Sequence, residues 1–182
     1  MAISVNNEYP WYHIVDAGTR INQGDFFYQL QVLNPLKMPD VSSMEADSAV
    51  EVVQIDCVVL THSCDFQNTT PDDYQVLVCP IASATPELIN TNDWGQLVNG
   101  RMTDAYLLHE FISDEPGMAF RYQLVDLKTV YSIPYRLLRE HAVAQGKRVQ
   151  LQPPYREHLA QAFAKRFMRV GLPIDLPRKR PW

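Results

Sequence analysis

Two rhythms of apolar positions run along this chain. The first is dense in branched and aromatic residues and predicts strands. "QGDFFYQLQVL" (Gln23–Leu33) reads as a first strand. "AVEVVQIDCVVLT" (Ala49–Thr61) becomes apolar at every position in "CVVL", so both of its faces ask to be covered and it belongs at the centre of a sheet. "YQVLVCPI" (Tyr74–Ile81) has the same character. The turn-forming "NTTPDD" lies between them. The pair predicts an antiparallel hairpin with a long polar tip. Ala119–Pro134 alternates enough for one or two further strands. Asn34–Asp47, with its prolines, serines and acids, predicts a long loop.

The second rhythm is helical. Thr85 as N-cap with Pro86 at the first position predicts a short helix in "TPELINTNDWGQL". "YRLLREHAVAQG" predicts another, stopped by Gly146. The longest is "PPYREHLAQAFAKRFMRVGLP", opened by Pro153-Pro154 and closed by Gly171 and Pro173. Leu159, Phe163, Phe167 and Val170 recur at helical spacing and predict its buried stripe. These elements predict a mainly β chain with α additions, an α+β fold. The expected form is an SH3-like small barrel with a C-terminal amphipathic helix. One domain is expected over 1–182, with residues 1–134 as the barrel-like core and 135–182 as a basic helical extension.

Composition changes this picture little. With 46% hydrophobic and 20% charged residues among 182, the chain reads as a soluble globular protein able to bury its own core. No apolar run approaches the roughly 20 residues of a membrane helix. The start, "MAISVNNEYPWYHIV", lacks the basic and apolar regions of a signal peptide, so no membrane association and a cytoplasmic location are expected. Three cysteines, Cys57, Cys64 and Cys79, predict no disulfide framework.

Charge changes it more. Residues 1–155 hold nine Lys and Arg against nineteen Asp and Glu. Residues 156–182 reverse the sign, with Arg156, Lys165, Arg166, Arg169, Arg178, Lys179 and Arg180 against Glu157 and Asp175. Either this is a solvated helix face and tail, or these seven cations meet an anionic partner. Tyr9, Trp11, Tyr12, Phe26, Phe27 and Tyr28 supply aromatic rings that serve either as core or as a base-stacking face.

"GDFF" (Gly24–Phe27), "CVVLTHSCDFQN" (Cys57–Asn68) and "VLVCPIAS" (Val76–Ser83) together resemble the MazF/PemK-type toxin pattern over about 60 residues. The resemblance implies an SH3-like barrel and a toxin–antitoxin or defence-type setting. In that family an Arg before the second strand and a hydroxyl at the end of the third cleave single-stranded RNA. This chain has Ile55 or Asp56 at the Arg's place, and only Ser83 for the hydroxyl. A carboxylate beside a scissile phosphate repels it, so the departure predicts no ribonuclease activity of that kind. The later segments also resemble small uncharacterised bacterial proteins that share a "TxSCD" segment, a resemblance that implies no activity.

"THSCD" (Thr61–Asp65) is the densest chemistry in the chain. His62 and Cys64, two positions apart, project to one side of an extended segment and are candidate zinc ligands. The spacing from Cys57 through His62 and Cys64 to Cys79 matches no common zinc module, and Cys57 and Cys79 read as buried strand residues. A thiol enzyme is the other reading. His62 would activate Cys64, with Asp65 orienting the imidazole and His109 as a distant alternative partner. The plain alternative is a structured turn in which Ser63 and Asp65 hold backbone groups and Cys64 packs underneath. "RMTDAYLLHEF" brings Asp104, His109 and Glu110 together, without a paired acid–base function if helical.

The expected function is a small binding module with no cofactor. Its partner is a nucleic acid, another protein or a second copy of the chain. The alternative is a thiol- or zinc-dependent enzyme on His62, Cys64 and Asp65.

Overall fold

The computed structural model describes residues 10–34, 51–67 and 74–168. The expected hairpin lies at its centre. Strand β3 (Val52–Val59) pairs antiparallel with β4 (Gln75–Ser83), Val58 opposite Cys79. On the far side of β3 runs β2 (Phe26–Leu33), also antiparallel. Its ladder slips by one residue between Phe27 and Leu30, and Gln29 takes φ 53° there. This is a β-bulge, which bends the strand and deepens its twist.

Strands β6 (Gln123–Asp126) and β7 (Tyr131–Pro134) both pair antiparallel with β4, β6 near its end and β7 near its start. They are one interrupted strand. Asp126 makes the break, its carboxylate accepting from the amide of Lys128 and the hydroxyl of Thr129. Strand β5 (Ala105–Leu108) adds to β6. The strand order is β2-β3-β4-β6-β5, with β7 on β4, and the sheet is not closed into a barrel.

Three four-residue strands were not expected from the sequence, β5 and two more. β1 (Tyr12–Val15) and β8 (Arg148–Leu151) form a separate antiparallel pair. It is tied to the start of β2 through the amide of Leu151, which donates to the carbonyl of Gly24 at 2.9 Å.

The sheet has a core on each face. Phe26, Val58, Cys79, Ile81 and Val125 point to one side, with Leu108, Val149, Leu151 and Leu159. Phe27, Cys57, Val59, Val76 and Val78 point to the other, with Ile133, Leu138 and Ala142. Helix α3 (Tyr155–Phe167) supplies Leu159 to the first, and α2 (Tyr135–Gln145) supplies Leu138 and Ala142 to the second. This two-sided cover is why "CVVL" is apolar throughout. Cys57 and Cys79, one register position out of step, lie on opposite faces and remain free thiols. Burial pushes both thiols up, Cys79 to about 12, so they are inert packing groups.

Helix α2 ends as expected at Gly146, with φ 82°. Two expectations fail. The short helix α1 (Thr91–Val98) does not start at Thr85: its cap is Asn90, whose side chain accepts from the amides of Asn92 and Asp93. Thr85 instead closes a turn, its carbonyl accepting from Leu88 and Ile89. The buried stripe of α3 is also shorter than its periodicity. Leu159 is fully buried and Phe163 half-buried, but Phe167 is 62% exposed because it extends past the packed face. Val170 lies outside the described residues. Among the described residues no helix is long and apolar enough to cross a membrane.

Candidate functional site

The sheet's β5 edge, α1 and α3 enclose a cleft of about 540 Å³. Ala105, Tyr106 and Leu107 of β5, with His109 just past its end, form one wall. Trp94, Leu97 and Val98 share one face of α1. His158, Gln161, Ala162 and Lys165 recur at i, i+3, i+4 and i+7 on α3, a second face beside the one that buries Leu159.

The floor is aromatic. Trp11 stacks on Tyr155 at 3.8 Å and 11°, and lies 5.7 Å from the ring of His109. His109 meets Tyr122 edge-on at 5.2 Å, and Tyr122 meets Trp94 at 5.3 Å and 90°. The row Tyr155, Trp11, His109, Tyr122, Trp94 thus spans elements far apart in sequence. Four of these rings, Trp11, His109, Tyr122 and Trp94, line the cleft, and Tyr155 backs Trp11. Buried Tyr12 supports it from beneath, its hydroxyl donating to the carbonyl of His109 at 2.8 Å. Burial raises the Tyr12 phenol well above its ordinary range, which keeps that donor protonated.

Charge in the cleft is one-sided. Lys165 reaches it from α3, while no Asp or Glu lines it among the described residues. Asp104, a carboxylate adjacent in sequence to the lining residues Thr103 and Ala105, is engaged by Arg166, a contact that also fixes α3 to the start of β5.

The expected cationic set is therefore divided by the fold. Lys165 faces the cleft. Arg156 pairs with Glu157 at 2.8 Å, and Arg166 is held by Asp104. Arg169, Arg178, Lys179 and Arg180 lie outside the described residues. Of the expected stacking rings, Trp11 is in the cleft, Tyr12, Phe26 and Phe27 are core, Tyr28 is half-buried, and Tyr9 lies outside the described residues.

The THSCD segment is a structured turn leading into a single 3-10 turn (Asp65–Gln67). Ser63 Oγ accepts from the amide of Gln23 at 3.2 Å, and Thr61 Oγ1 from the amide of Leu77 at 2.7 Å. Phe66 anchors the turn between Tyr74 and Tyr135 and, through its carbonyl, to Arg20. Cys64 does not pack underneath; it is exposed, as are His62 and Asp65. His62 Nδ1 accepts from the amide of Cys64 at 3.3 Å, so this nitrogen faces the backbone. Among the described residues no three His, Cys, Asp or Glu side chains converge enough to hold a metal ion. His109, the distant partner considered for Cys64, belongs to the cleft, whose lining does not include Cys64.

Sequence reasoning missed Trp94, Tyr122, His158 and Gln161. The only signal available was the i, i+3, i+4, i+7 recurrence of His158, Gln161, Ala162 and Lys165, which resembles an ordinary solvated face. No family model and no curated protein matches the chain.

Proposed function

We propose that this protein is a small binding module for single-stranded nucleic acid. A base enters the aromatic cleft and the backbone phosphates lie toward Lys165. The observation that carries the reading is a cleft walled by aromatic rings, with a lysine and no lining carboxylate, in a chain whose formal charge is −5. An acidic protein that keeps one concave site free of acids suits an anionic ligand. Stacking of a base on an aromatic side chain is worth about 1–3 kcal/mol and tolerates any base, because each has a π-face. The cleft volume is within the roughly 300–1,000 Å³ of ordinary ligand sites. Arg169, Arg178, Lys179 and Arg180, cations of the same basic stretch of sequence, are proposed to contribute to phosphate binding.

The resemblance to MazF/PemK-type toxins supports the same ligand class and an SH3-like ancestry for β2 to β4. It does not supply the cleaving residues. Asp56 is exposed and accepts from the Gln29 amide, and Ser83 Oγ lies 3.5 Å from Gln123 Nε2. A binding role without that cleavage chemistry, in a cytoplasmic setting, fits both facts.

Intrinsic tryptophan fluorescence tests the proposal, because Trp11 and Trp94 both line the cleft. Titration with short single-stranded oligonucleotides should quench the signal, and Trp11→Ala should weaken binding. Lys165→Ala should weaken it too and flatten its salt dependence by about 0.7 in log–log slope. Unchanged fluorescence with every RNA and DNA strand, at low salt, would remove the reading.

A further inference from the structure

Resting on the reading of the cleft as a base-binding site, we infer that His109 selects the base. It admits those with a ring N–H, namely uracil, thymine and guanine, over cytosine and adenine. The ring of His109 is held from several sides. Its Nδ1 lies 3.0 Å from the carbonyl oxygen of Glu110. A carbonyl oxygen only accepts, so Nδ1 carries the proton. In the neutral ring Nε2 then bears a lone pair, and it has no partner among the described residues. Trp11 at 5.7 Å and Tyr122 at 5.2 Å fix the ring plane, and the Tyr12 hydroxyl fixes the backbone of the same residue. His109 is thus an oriented acceptor set in the row of stacking rings.

A base stacked on Trp11 or Tyr122 turns its edge toward such a neighbour. Uracil and thymine at N3, and guanine at N1, present a donor N–H there. Cytosine and adenine present a lone pair at the corresponding ring nitrogen. Two lone pairs facing each other repel, and both lose their water without a replacement. Stacking gives the site tolerance, and one fixed acceptor gives it discrimination.

The comparison uses oligouridine and oligocytidine, pyrimidines of one size, bound to the intact protein and followed by tryptophan fluorescence. Oligouridine should bind about tenfold more tightly, the value of one hydrogen bond matched rather than opposed. Oligomers of N3-methyluridine, in which the donor proton is replaced, should fall to the cytidine affinity with the protein unaltered. His109→Phe, which keeps a flat ring without Nε2, should bring the two affinities together. Equal affinities for uridine and cytidine strands, or no effect of N3 methylation, would overturn the inference while leaving the binding site in place. Binding to none of the strands would overturn the base-binding reading and this inference with it.

Discussion

Arg148 and Asp25 form an ion pair inside the protein, Nε to Oδ2 at 2.7 Å, with neither side chain reaching solvent. The guanidinium also donates to the carbonyls of Asp16, Thr19 and Arg20. The carboxylate also accepts from the amide of Asn22 and from Gln150 Nε2. One arginine on β8 thereby fixes the loop between β1 and β2. Such a pair stabilises only because its remaining polar atoms are satisfied.

Removing one partner should be severe. Arg148→Met leaves a buried carboxylate alone and should cost roughly 3–5 kcal/mol, a large share of the about 5–15 kcal/mol that holds a domain together. Asp25→Leu in the same chain should recover part of it. Denaturant unfolding of the parent, the single variant and the double variant measures this, and a double variant no better than Arg148→Met would contradict it.

The same variant has a pH signature. Burial pushes the Asp25 carboxyl above its ordinary 3.8, while Arg148, Gln150 and Asn22 pull it back. Without Arg148, burial acts with less opposition and the folded-state value climbs further. A raised folded value means the folded state takes up a proton that the unfolded chain does not. The defect should therefore shrink as pH falls through the folded value toward 3.8, and return as pH rises. Melting temperature against pH, compared with the parent, reads this directly.

Gly24→Ala should destabilise the junction of β2 and β8. Gly24 has φ 84°, and a Cβ there would lie 2.8 Å from Cβ of Leu151. Backbone and packing both object, so the loss should exceed the roughly 1 kcal/mol of a positive-φ alanine alone. An unchanged melting temperature would mean that β8 can move away from Gly24.

Helix α3 separates two kinds of phenylalanine and one leucine. Leu159→Ala, at a fully buried position, should cost about 2–5 kcal/mol. Phe163→Ala should cost less, because that ring is only half-buried. Phe167→Ala should cost least, since its main neighbour is the Phe163 ring at 5.0 Å. Thermal melts of the three rank them, and an equal loss at Phe167 would contradict its exposure.

Cys64→Ser should leave melting and oligonucleotide binding unchanged, because the thiol is exposed and outside the cleft. Loss of any activity in this variant would favour the thiol or zinc alternative on His62, Cys64 and Asp65. The rate of thiol alkylation offers a second check on whether the cysteine is activated.

How much of this was legible in the sequence depends on where each residue's partner lies. Val58 and Val59 announced a covered central strand because successive positions, which face opposite sides of the sheet, are both apolar. "RVQL" announced nothing. Arg148 and Gln150 look like solvent residues until Asp25 is brought beside them. Phe167 kept the helical period, but the sheet beneath it ends sooner than the period does. Trp94 and Tyr122 carried no shared pattern, because a cleft assembled from separate elements leaves no spacing to read. Only the α3 wall was written as a motif, and its polar residues resemble those of any wet face.

The β1–β8 pair has a consequence for synthesis of the chain. His13 and Gln152, side-chain partners flanking that ladder, are 139 positions apart. At roughly 5–20 residues per second, β1 waits on the order of ten seconds or more before β8 leaves the ribosome. Throughout that time Tyr12 and Val15 have no strand to shelter them. Pairing β1 with β8 spans the longest sequence separation of the strand pairs among the described residues, the kind of contact that carries the largest loop-closure entropy.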